Sequence, residues 1–179
     1  MQTKTKTSKT SPKQSLGDLV SLALSMGALQ AKLIDTKSIA VRDWVRLKCQ
    51  FGCGKYGKLL TCPPYSPSPE RMRQTLTGYS NAILMNLPDQ SMATHDMIAK
   101  LERSIFLKGY YRAFGLPAGP CERCEKCNME KCINPRLARP TMEACCIDVY
   151  ETARKNGFSI EVLKTEDEKP TYFGLMLIE

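Results

Sequence analysis

Four cysteines, Cys121, Cys124, Cys127 and Cys132, are spaced C-x2-C-x2-C-x4-C. Thiolates are soft ligands, and consecutive two-residue gaps let a curled backbone turn three sulfurs and several amide N–H groups toward one small object. The run looks like the ferredoxin pattern C-x2-C-x2-C-x3-C-P, with the last gap one residue longer and the proline delayed to Pro135. The expected occupant is an iron–sulfur cluster of the 4Fe–4S type. Structural zinc is the alternative, although zinc modules separate their two cysteine pairs by about a dozen residues or more.

A second constellation, Cys49, Cys53 and Cys62, lies in the stretch CQFGCGKYGKLLTCPPYSP. Gly52, Gly54 and Gly57 let the backbone wrap a bulky group, and Pro63 and Pro64 stiffen the exit. Three thiolates without a fourth are what a cluster with one open iron would show, and an open position is where substrate chemistry happens. Cys145 stands beside the helical stripe Met142, Cys146, Val149, Ala153 and is the candidate eighth ligand, whereas Cys146, inside the stripe, reads as a small buried hydrophobe. Cys132 is another candidate for the Cys49 group, because in two-cluster ferredoxins the last cysteine of a run ligates the other cluster.

Other chemistry is thin. His95, the lone histidine, reads as a surface or capping residue at a helix start. Tyr56 and Tyr65 are placed to shield a cluster from water, and Lys55, Lys58, Arg136 and Arg139 flank the loops as solvated charge or as a guide for an acidic redox partner. The sequence contains no nucleophile motif and no glycine-rich phosphate loop.

The elements around these residues must hold them in place. Residues 49–69 and 119–140 show no hydrophobic period and exceed an ordinary connection, so each calls for an organiser such as a metal. Leu16, Leu19, Val20, Ala23 and Leu24 predict a first helix capped by Ser15 and stopped at Gly27. Strands are expected at 31–34 and 38–47, with Trp44 capping a core edge. Pro69 opens a helix carrying Met72 and Leu76. Residues 82–87 form a buried strand, 91–114 a helix broken near Gly109, and 140–156 a helix closed by Gly157. Two strands, 158–163 and 172–178, end the chain as a hairpin or in separate sheet positions. The expected fold is a single layered α/β domain over 15–179, with a small mixed sheet, flanking helices and the two cysteine loops facing each other. Residues 1–14 read as a disordered basic tail.

Composition bounds the function. The chain has 179 residues, 42% hydrophobic and 25% charged, which excludes a wholly disordered or fibrous protein. The most apolar stretch, 16–29, is too short and too polar to cross a bilayer. Nine cysteines without an apolar leader point to a reducing, cytoplasmic compartment rather than to a disulfide scaffold. The formal charge of +8 overstates any affinity for nucleic acid, since Lys4, Lys6, Lys9 and Lys13 belong to the tail and metal-bound thiolates would offset more.

The elements CxxxC, YGK, TCPPYSP, GPCxxCxxC and RPTMEACxIDV resemble the predicted metal-binding family known as domain of unknown function 2284, over residues 16–179. The resemblance implies a cytoplasmic metalloprotein, presumed to hold iron–sulfur clusters and frequent in anaerobic microbes, with no agreed reaction. Cys145 fits the family motif; Cys146 stands where the family has glycine and is not a shared ligand. The expected function is electron transfer, or cluster-dependent redox or sulfur-transfer chemistry with a partner protein or small substrate. The alternatives are a zinc-stabilised module with a basic face for nucleic acid, and a purely structural metal.

Overall fold

The computed structural model describes residues 15–165 and 167–179, so the expected basic tail lies outside the described residues. Eleven elements follow in order. They are α1 (Leu16–Ser25), β1 (Gln30–Asp35), a 3-10 turn (Thr36–Ser38), α2 (Asp43–Gly52), α3 (Pro69–Leu76), β2 (Asn81–Leu87), α4 (Met92–Leu107), β3 (Phe114–Leu116), a second 3-10 turn (Glu143–Cys145), α5 (Val149–Lys155) and β4 (Tyr172–Leu177). Several boundaries follow from local chemistry. The side chains of Ser15, Ser68, Ser91 and Asp148 each accept a backbone N–H from the first turn of their helix, and Pro69 follows its cap where a missing donor costs nothing.

The sheet runs β1-β2-β4-β3, and every pairing is antiparallel, so the expected mixed sheet is corrected to a wholly antiparallel one. Its central strands are covered on both faces. Ile83, Met85 and Leu87 of β2 pack with Leu19, Ile98, Leu101 and Ile105 from α1 and α4, while Ala82 and Leu84 pack with Met142, Ile147, Val149 and Phe173 on the opposite side. Burial on both faces is why β2 reads as an apolar run rather than an alternation. Gly174 leaves no room for a side chain, since a Cβ there would stand 2.8 Å from Leu87 Cδ1 of β2 and 3.0 Å from the Leu116 carbonyl oxygen of β3.

Four expected elements differ, the first being the helix expected over 91–114, which stops at Leu107 and is followed by an unexpected strand, β3. Residues 38–47 are not a strand: only Val41 makes an isolated bridge, to Ile147, and α2 begins at Asp43 with Trp44 47% exposed instead of capping the core. Here Asp43 at the positive end of a helix outweighs the even spacing of β-branched residues. The helix expected over 140–156 is interrupted, because Cys146 adopts a left-handed conformation at φ 62° and Asp148 caps a new helix. The interruption lets Ile147 bridge Val41 and lets the Arg42 N–H reach the Cys146 carbonyl. Residues 158–163 form no strand, so there is no terminal hairpin; Phe158 instead packs edge-on against Phe173 at 5.2 Å.

Candidate metal centre

The first cysteine loop grows out of α2. Cys49 lies in its last turn, Cys53 is its C-cap, and Gly57, at φ 70°, donates its N–H to the Pro63 carbonyl at 2.8 Å, bringing Cys62 back toward them. The exit is fastened to the second 3-10 turn, where the Ser66 hydroxyl donates to the Ala144 carbonyl at 2.6 Å. Arg46 adds bonds to the carbonyls of Pro67 and Pro64. Cys49, Cys53 and Cys62 thereby share the wall of one cavity of about 320 Å³ with Tyr56, Glu143 and Tyr172. Burial, followed by the charge of Cys53 and Glu143, pushes the Cys49 thiol up to about 11, and burial also raises Cys62. Glu143 reaches solvent through this concave wall but is otherwise enclosed by protein, and that desolvation raises its carboxyl pKa.

The second loop is held at both ends by α4. At its entry, His95 Nε2 faces the carbonyls of Ala118 and Gly119 at 2.9 and 3.1 Å, and Arg123 pairs with Asp96. At its exit, Arg139 forms a two-pronged pair with Glu102 at 2.6 and 2.7 Å and donates to the carbonyls of Pro135 and Ala138. His95, Asp96 and Glu102 all belong to α4. Between these anchors Cys121, Cys124, Cys127 and Cys132 line a cavity of only about 20 Å³, closed from the other side by Leu59, Leu60 and Thr61 of the first loop. Asn134 Nδ2 donates to Cys124 Sγ at 3.2 Å. A Lys55–Glu122 ion pair at 2.8 Å ties the loops together, and Cys121 is near enough across the join for its charge to raise the Cys62 thiol.

Against this geometry, a family profile described as a predicted metal-binding protein, DUF2284, matches residues 32–178. The chain belongs to that family. The match begins inside β1, so α1 lies outside it, and it takes in both cysteine loops. Nothing among curated proteins and nothing among solved structures matches the chain.

The donor chemistry suits the metal that DUF2284 membership predicts. All nine cysteines are free, and seven of them line the two cavities. Among the described residues no three His, Cys, Asp or Glu side chains converge tightly enough to form a site for one ion. The four-cysteine cavity nevertheless carries the marks of a binding site. Arg123, whose side chain is 10% exposed, lines it, and its Nε finds no hydrogen-bond partner among the described residues. An unpaired buried donor beside four sulfurs fits a group that accepts hydrogen bonds through sulfur.

The other expected residues fall as follows. Cys145 is 1% exposed within the core beside Cys146 and does not line the cavity; burial pushes its thiol up to about 12. Cys146 is buried as expected, though on a left-handed turn rather than a helix. His95 is corrected from a surface residue to a buried one, 1% exposed. Both groups facing Nε2 are carbonyls, so Nε2 must carry the hydrogen, and Nδ1 is left an acceptor without a partner among the described residues. Burial accordingly lowers the His95 pKa. Tyr56 lines the larger cavity, whereas Tyr65 is exposed. The charges of Lys55 and Arg139 are met by Glu122 and Glu102. Sequence reading missed Asn134, Arg123, Glu102 and Glu143. Of these Asn134, Arg123 and Glu143 carried a local signal, each lying within two residues of a motif cysteine, and Glu102 carried none.

Proposed function

We propose that this protein is an iron–sulfur protein with two unlike centres. In this reading Cys121, Cys124, Cys127 and Cys132 hold a closed electron-relay cluster, and Cys49, Cys53 and Cys62 hold a second cluster with a position open to a small substrate. A 4Fe–4S cluster, when bound, supplies one-electron transfer at a potential set by net charge, hydrogen bonds to sulfur and exposure to water. The observation that carries the reading is the segregation of seven thiols into two cavities, four lining the smaller and three lining the larger, of about 320 Å³. Asn134 and Arg123 supply donors in the first, and Leu59 and Leu60 add apolar surface to its wall. In the second, Tyr56, Tyr150, Tyr172 and Phe173 leave room and an apolar wall for an organic molecule. The proximity of Cys62 to Cys121 supplies a short route between the centres.

All nine cysteines are free, which suits a reducing compartment and a redox partner protein or small-molecule substrate. Among the described residues no helix is long and apolar enough to cross a membrane. The test is a reductive titration of anaerobically purified protein followed by electron paramagnetic resonance. Two distinct reducible signals are expected, and a protein that takes up no electrons would sink the redox reading.

A further inference from the structure

We infer that Glu143 is the fourth donor of the Cys49, Cys53 and Cys62 centre, a carboxylate that holds the open position until a substrate displaces it. The inference rests on the reading that a metal centre occupies this cavity. Glu143 is the only carboxylate among the described residues lining the cavity, and no Lys, Arg or His lines it. Three thiolates and a carboxylate around one cavity without a counter-charge repel one another, and a metal supplies the missing positive charge. No ion pair of Glu143 occurs among the described residues, whereas Glu102 and Glu122 at the loops are paired with Arg139 and Lys55.

The local backbone places Glu143 for this role. The Ala144 N–H donates to Thr141 Oγ1 at 3.1 Å, which leaves the Thr141 hydroxyl hydrogen free to bond the Glu143 carboxylate and orient it. The Cys49 thiol lies 4.0 Å from the Glu143 carbonyl, so the turn abuts the first of the three cysteines. Cys145, the cysteine nearest in sequence, is directed into the core with Met142 and Ile147 instead of the cavity. An oxygen donor on a soft iron–sulfur centre is exchanged more readily than a thiolate, which is what a displaceable ligand requires.

The test is the rate at which EDTA strips metal from the full-length protein, purified without oxygen, in Glu143→Ala, Glu143→Gln, Glu143→Cys, Cys145→Ser and Cys49→Ser variants. Glu143→Ala and Glu143→Gln are expected to release metal about tenfold faster or more. Glu143→Cys should release it no faster than wild type and show an altered spectrum, and Cys145→Ser should behave as wild type. If Glu143→Ala and Glu143→Gln strip like wild type while Cys49→Ser loses its metal, Glu143 is not a ligand and the metal reading survives. Faster stripping in Cys145→Ser alone would give the fourth position to that thiol. A Cys49→Ser protein with unchanged metal would overturn both the inference and the reading beneath it.

Discussion

The two cysteine loops solve opposite problems with the same side chain. The loop from Gly119 to Pro140 has neither helix nor strand, yet its ends are fixed to one helix by His95, Asp96 and Glu102, and its four thiols line one small cavity. The Cys49 loop begins as a helix and is fastened at its exit to Ala144, but its three thiols face about 320 Å³ of apolar space. Thiol count alone does not distinguish a relay from a reaction site. What distinguishes them is whether the surrounding residues fill the space beside the sulfur or leave it open.

The largest expected effect tests whether the two centres are separate. Cys124→Ser should remove about four irons per chain and leave the second centre's signal, and Cys49→Ser should do the converse. Iron analysis with electron paramagnetic resonance on each variant checks this, and a single substitution that empties both would merge the sites. The next effect sharpens the difference in anchoring. Glu102→Ala leaves Arg139, 13% exposed, without its carboxylate and the Gly115 N–H without its acceptor. It should cost about 3 kcal/mol in denaturant unfolding. It should also weaken retention of the four-cysteine metal while the Cys49 centre keeps its own.

A smaller effect concerns acid. A thiol must lose its proton to bind metal, so a thiol whose pKa is raised holds that proton to higher pH and competes better as pH falls. Burial raises thiols at both centres, Cys62 and Cys121, and raises Cys49 furthest of the three, to about 11. The Cys49 centre should therefore release metal first during acidification, at a higher pH than the four-cysteine centre. Absorption followed through an acid titration of Cys124→Ser and Cys49→Ser, each with one centre left, measures the order. Smallest is Ser91→Ala, which removes the cap of α4 and should cost about 1 kcal/mol in thermal unfolding without altering either spectrum.

Much of the frame was legible in the sequence. The cap at Ser15, the helix start at Pro69, the apolar run of β2 and the two cysteine loops each follow from local composition and spacing. The segment 38–47 misled because its even spacing of Ile39, Val41, Val45 and Leu47 straddles two conformations, extended before Asp43 and helical after it. The helix expected through Cys146 failed because Asp148 competes for a new helix start, a contest that periodicity does not register. Glu102, Asp96 and His95 are spaced along α4 like any helical residues. Their role as anchors of a loop more than a dozen residues downstream depends on tertiary contacts with Ala118, Arg123 and Arg139. The difference in cavity volume is likewise a property of packing and not of any residue pattern.

The most direct test of two unlike iron–sulfur centres is the iron, zinc and acid-labile sulfide content per chain of protein purified without oxygen. The account predicts about eight irons with matching sulfide and little zinc. Zinc without sulfide would contradict it.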